Sequence, residues 1–137
     1  MELKNIMKYS VLAGGKRFRP ILTYTVASLY DSEIEKADSS ASAIELIHIY
    51  SLIHDDLPAM DDDDIRHNQP ANHKVFGEAQ AILAGDGLQA LAFSLISNDP
   101  LINADTKIKL LELMAKSSYA MAEGQSIDLS VVSKKVD

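Results

Sequence analysis

Between residues 55 and 64 the chain reads Asp55-Asp56-Leu57-Pro58-Ala59-Met60-Asp61-Asp62-Asp63-Asp64, six carboxylates in ten positions. They come directly after an apolar stretch, Ala43, Ile44, Ile47, Ile49-Tyr50 and Leu52-Ile53, whose spacing is helical. Asp38-Ser39-Ser40 supplies capping residues at the start of that stretch, and Pro58 forbids an undisturbed continuation past its end. The acids are therefore expected at the C-terminal end of a buried helix. There their mutual repulsion is costly unless something positive binds.

The rest of the polar chemistry gathers nearby. All three arginines (Arg17, Arg19, Arg66) and all four histidines (His48, His54, His67, His73) lie in or near the acid run or the stretch Gly14-Gly15-Lys16-Arg17-Phe18-Arg19-Pro20. The formal net charge of −7 argues against nucleic acid or an anionic membrane as the main partner. With no cysteine, disulfide scaffolds, thiol nucleophiles and cysteine-ligated zinc are excluded, and a reducing compartment is the expectation. No apolar run is read as long enough to span a bilayer, and Met1-Glu2-Leu3-Lys4-Asn5 opens onto no signal-type stretch, so a cytoplasmic location is expected.

Periodicity favours helix almost throughout, and an all-α fold is expected. Ile21, Leu22, Thr25, Val26 and Leu29 follow Pro20 at helical spacing, with Asp31-Ser32 able to end that helix. A third segment runs from Ala79 to Ile96 and is stopped by Asn98-Asp99-Pro100. A fourth, Thr106 to Ala122, carries Ile108, Leu111, Met114, Ala115 and Met121, with Gly124 expected as a break or kink. No alternating strand pattern, repeat or linker is read, and the 137 residues suit one domain or part of one.

Asp55, Asp56 and Asp61 are hard oxygen donors of the kind that hold Mg²⁺ through one or two oxygens each, with phosphate oxygens filling the remaining positions. A Ca²⁺ loop of the Asp-x-Asp-x-Asp-Gly type fails for want of the glycine. The Gly14 to Pro20 stretch places cationic donors at a helix start, where free amides and the helix dipole already favour anions. Lys16 and Arg19, three apart, can share a face, whereas Arg17 points elsewhere and could as well form a surface ion pair. His48 lies seven residues before Asp55, two helical turns, so one helix can aim both into one cavity. His54 and His73 are read as ordinary packed histidines.

Four stretches together closely resemble the trans-prenyl diphosphate synthases, the short-chain farnesyl or geranyl branch of the all-α isoprenoid synthases. They are Leu-Ala-Gly-Gly-Lys-Arg-Phe-Arg-Pro (12–20), Ile-His-Asp-Asp-Leu-Pro-Ala-Met-Asp-Asp-Asp-Asp-Ile-Arg (53–66), Phe-Gly-Glu-Ala-Gln-Ala-Ile-Leu-Ala-Gly-Asp (76–86) and Gly-Gln-Ser-Ile-Asp-Leu (124–129). The resemblance implies that Asp55, Asp56 and Asp61 hold Mg²⁺ bridging an allylic diphosphate that Arg66 also contacts. It implies that Lys16, Arg19 and His48 hold isopentenyl diphosphate, and that Gln125 and Asp128 lie near the diphosphates. Tyr50, with Ser51 beside it, would floor the cavity and set product length, with farnesyl diphosphate as the expected product and a homodimer as the expected assembly.

Two departures from that pattern stand out. His67 occupies the position of a second arginine after the acid run, a weaker and titratable donor. The chain also stops nine residues after Asp128, without the family's second aspartate-rich motif, and it starts short of the family's helix before the Gly-Gly-Lys-Arg stretch. The expectation is thus a partial polyprenyl synthetase domain over residues 1–137, roughly the N-terminal half of the isoprenoid-synthase bundle, with little or no activity alone. A non-catalytic truncated homologue or helical interaction module is the alternative. A terpene cyclase of the same fold fits less well, because it has no need of the Lys16, Arg19 and His48 set.

Overall fold

The computed structural model describes residues 2–30 and 33–132. Its helices, in chain order, are α1 (Leu3–Val11), α2 (Phe18–Tyr30), α3 (Asp38–Asp55), α4 (Asn72–Phe76), α5 (Glu78–Asn98) and α6 (Ala104–Val132), with a 3-10 turn at Ile34–Ala37 ahead of α3. The all-α reading holds. The helix expected after Pro20 begins two residues earlier, at Phe18, and its expected end at Asp31-Ser32 lies outside the described residues.

The centre of the bundle is the pairing of α3 with α5. Leu46, Ile49, Tyr50 and Ile53 of α3 meet Ala81, Leu88, Ala92 and Ile96 of α5 in one buried cluster. Full burial of a large apolar side chain contributes roughly 1.5–3 kcal/mol, which makes this seam the main source of stability. The alanines Ala43, Ala81, Ala84 and Ala92 are fully buried and let the two helices approach closely.

In three places the structure differs from the sequence reading. A helix does precede the Gly-Gly-Lys-Arg stretch: α1 turns Ile6 wholly inward, and Asn72 of α4 ties it down by donating to the Ile6 carbonyl (3.1 Å) and the Ser10 hydroxyl (2.9 Å). Gly124 is not a break, since α6 runs straight through it; a single glycine costs a helix interior only about 1 kcal/mol. After the acid run, Ile65–Arg66 (β1) pairs antiparallel with Gln69–Pro70 (β2) around His67 and Asn68, whose φ values of 51° and 63° suit a two-residue hairpin turn. Strands of two residues are too short to show alternation.

By length and composition alone, α5 could cross a bilayer, with a window of mean hydropathy 1.3. Its Ala81, Ala84, Gly85, Leu88, Ala92 and Ile96 instead pack inside the bundle. One face of α5 is thus core, while Ile82, Leu83 and Leu91 on its other side stay exposed.

Candidate active site

Helix α3 carries polar groups toward two separate hollows. The first is a pocket of about 310 Å³ lined by Gly15, Lys16, Arg17, Phe18, Arg19, Glu45, His48 and His67. Its floor is local turn chemistry. Gly15 has φ of +103°, a conformation glycine adopts without strain, and the His67 ring sits so close that a side chain there would begin 3.3 Å from it. Arg17 does not present its charge to the pocket. Its Nη1 donates to Glu45 Oε1 (2.8 Å) and its Nη2 to the Val11 carbonyl (2.7 Å), so it pins the turn to α3 and α1. The ion pair left open for Arg17 by the sequence is thus made, half-buried rather than at the surface.

Lys16 and Arg19 remain exposed at the rim of this pocket, with His48 across from them. Burial, reinforced by the nearby Arg19 charge, lowers the His48 pKa below the ordinary imidazole value. An arriving anion would reverse the second of those effects. His67, the weaker donor in the place of a second arginine, lines the same pocket as His48.

The second hollow is larger, about 620 Å³, and lies between the end of α3 and α6. Tyr50, Ser51, His54 and Asp55 line one side, Met121, Ala122, Gly124, Gln125, Ser126 and Leu129 the other, and Met60 closes the turn between. Tyr50 and Ser51, the expected chain-length residues, are both on its wall. Gln125 spans it by donating from its side-chain amide to Asp55 Oδ1, a contact between residues seventy apart in the chain. Asp128 is exposed and is not part of that lining.

The acid run divides by environment. Helix α3 ends at Asp55, and the chain turns back so that the Asp61 amide donates to the Asp55 carbonyl (2.8 Å). Asp61 is thereby a neighbour of Asp55, which itself lines the hollow. Burial raises the Asp55 pKa, and the Asp61 and Asp56 charges add to the effect while the Gln125 bond opposes it. Asp56 faces the other way. Only 2% exposed, it is gripped by Arg66, whose Nε reaches both carboxylate oxygens (3.0 and 3.2 Å) and whose Nη2 also bonds Oδ1. Arg66 Nη2 further reaches Asp63 (3.2 Å), and Lys74 binds Asp64 (2.7 Å). The hairpin and α4 thus neutralise part of the run internally, and among the described residues Asp55 and Asp61 make no ion pair.

Among the described residues, no three carboxylate or imidazole side chains converge closely enough to enclose a metal by themselves. Two adjacent hard carboxylates, Asp55 at the hollow with its ionised form disfavoured by burial and by the Asp61 and Asp56 charges, nevertheless suit Mg²⁺, which takes few protein ligands and completes its octahedron with phosphate oxygens.

The fold and site thus define a helical bundle with a cationic pocket and an acidic hollow beside one helix. The particular family follows from comparison: the Polyprenyl synthetase family profile matches residues 1–137, and the chain belongs to that family. Farnesyl diphosphate synthase of Haemophilus influenzae is 46% identical over 136 residues, 98% of this chain and 46% of that protein. The farnesyl diphosphate synthase of Geobacillus stearothermophilus is 48% identical over 132 residues, 93% of this chain and 44% of its own length. The crystal structure of geranyltransferase from Legionella pneumophila superposes with a TM-score of 0.92 at 44% identity, covering 98% of this chain and 49% of that one. The chain thus spans about half the length of the relatives it matches.

Proposed function

We propose that this chain carries the substrate-gripping part of a prenyl diphosphate synthase that joins an allylic diphosphate to isopentenyl diphosphate, with farnesyl diphosphate as product. The observation that carries the reading is the pair of hollows beside α3, one ringed by Lys16, Arg19, His48 and His67, the other lined by Asp55 with Asp61 folded back beside it. Two diphosphates need two grips, and these are chemically distinct. Metal ions held by Asp55 and Asp61, with Asp56 and Arg66 behind them, would supply the positive charge that stabilises a departing diphosphate. Lys16, Arg19 and His48 would hold the second diphosphate, so that its carbon–carbon double bond faces the allylic carbon. The carbon–oxygen bond of the allylic substrate breaks, a carbon–carbon bond forms, and a proton leaves the new chain.

The apolar side chains of the larger hollow, Met60, Met121, Tyr50 and Leu129, would keep water from the allylic cation. Tyr50, buried five residues before Asp55, would stop the growing tail, so Tyr50→Ala in a turnover-competent protein should shift labelled product beyond C15. An unchanged product profile with activity retained would remove Tyr50 from that role. The same reading takes the protein to act as a homodimer in the cytoplasm.

Calorimetric titration of inorganic pyrophosphate into the chain, with and without Mg²⁺, tests the proposal. Metal-dependent binding that disappears in Asp55→Ala supports it. Binding indifferent to metal, or equal in that variant, overturns it and favours the helical interaction module.

A further inference from the structure

His54 immediately precedes Asp55, and the sequence offers no role for it beyond packing. In the structure its ring lies across α5 at Gly85, where a side-chain carbon would stand 2.2 Å from Nε2, 2.6 Å from Cδ2 and 2.9 Å from Cε1. Real atoms do not approach so closely, so the ring occupies the place that any other residue at position 85 would fill. Nε2 is 3.1 Å from the Ile82 carbonyl oxygen, and because a carbonyl only accepts, Nε2 carries the ring proton. Asp86 Oδ1 stands 3.9 Å from the same nitrogen. The other edge of the contact faces the larger hollow, where Tyr50 meets the His54 ring edge-on with centroids 5.7 Å apart at 82°.

We propose that His54 and Gly85 form a positioning lock: the glycine notch on α5 fixes the His54 ring, and through it the direction of the Asp55 carboxylate and the Tyr50 ring. No residue of α5 lines the larger hollow, yet through this contact α5 acts on the wall that carries Tyr50 and Asp55. The stretch Ile82-Leu83-Ala84-Gly85-Asp86 thereby gains a task at the site without touching a ligand. His54 and Gly85 are positioning residues, not catalytic ones. The effect on ligand binding rests on the reading that Asp55 helps hold a metal-bound diphosphate.

The test uses the 137-residue chain, Mg²⁺ with inorganic pyrophosphate, and the variants Gly85→Ala, His54→Ala and the two combined. Gly85→Ala should weaken metal-dependent pyrophosphate binding by about tenfold or more, because displacements near 1 Å at such sites carry penalties on the order of 10²-fold. His54→Ala should weaken it too, and the double variant should bind no worse than His54→Ala alone, since the added methyl then has room. Long-range ¹⁵N spectra of the imidazole should show the Nε2–H form in the parent chain. Wild-type affinity in folded Gly85→Ala, additive penalties in the double variant, a lowered melting temperature with affinity intact, or an Nδ1–H tautomer would each overturn the lock. If Gly85→Ala does not fold, adding His54→Ala must restore folding; failure to do so also overturns it. Should the parent chain bind no pyrophosphate, the proposed function fails, while the tautomer and the non-additivity of melting temperatures still decide the lock.

Discussion

The two hollows beside α3 share a helix and differ in how they are built. The cationic pocket is made by turns: Gly15 in a conformation natural to glycine, Arg17 clamped to Glu45 and Val11, and His67 at the tip of a two-residue hairpin. The larger hollow exists only because α6, far along the chain, lies against the end of α3 and reaches it through Gln125. A pocket built from local turns survives loosening of the bundle better than one closed by a long helix whose outer side chains, such as Ile108, Leu113 and Tyr119, are exposed. The difference predicts an order of fragility that substitutions can break or sharpen.

The largest effect is expected at the ion pair that holds the hairpin against the end of α3. Asp56→Ala leaves the partly exposed Arg66 guanidinium with only Asp63 as a partner, and loss of these charged hydrogen bonds costs about 1.5–3 kcal/mol, towards the upper end because several are lost, to be read from urea unfolding of the variant. A loss no larger than that of an exposed pair would show that the hairpin is held by other contacts. Asp55→Asn, one residue away, should leave stability equal or slightly improved while abolishing Mg²⁺-dependent pyrophosphate binding, because burial and the Asp61 and Asp56 charges already disfavour its ionised form. A clear drop in unfolding free energy would contradict that account of its surroundings.

Gln125→Leu acts on the larger hollow alone. It deletes a hydrogen bond to a carboxylate, typically about 1.5–3 kcal/mol, and the open setting places the result at the lower end. Faster amide exchange confined to the second half of α6, with the Gly14 to Arg19 turn unaffected, would sharpen the contrast; a uniform rise across the chain would erase it.

The smallest effect concerns pH. Burial and Arg19 lower the His48 pKa, so the unfolded chain takes up this proton at higher pH than the folded one. Its contribution is therefore complete above the ordinary imidazole value and is lost as pH falls from about 6.5 through the folded-state pKa. An anion in the pocket favours the imidazolium, so pyrophosphate binding there should tighten as pH falls, with proton uptake visible in calorimetry in buffers of different ionisation enthalpy. Absence of that uptake, or its persistence in His48→Gln, would exclude His48 as the titrating donor.

Much of this was legible from local sequence. Helical spacing located α2, α3, α5 and α6 within a few residues, apart from the C-terminal extension of α6 through Gly124, because amphipathic periodicity and the stops at Pro58 and Pro100 act within a turn or two. Leu3, Ile6, Met7 and Val11 already carry the spacing of α1, a signal present in the chain and passed over. Lys16, Arg19 and His48 come together as expected, because a glycine turn at a helix start and a histidine on the neighbouring helix need only one short connection.

Tertiary structure alone decided which acid faces which way. Consecutive residues on a helix point about 100° apart, so the sequence determines that Asp55 and Asp56 diverge. Which of them is buried depends on where the hairpin delivers Arg66 and where α6 delivers Gln125. The same holds for His54, whose notch at Gly85 arises from the approach of two helices joined by a long connection, and for His67, turned into the cationic pocket by two residues of positive φ. Residue types, and the ends of most elements, are set by forces acting over a few positions along the chain. The pairing of opposite charges across the bundle is set by packing between segments far apart in sequence, and no local pattern encodes it.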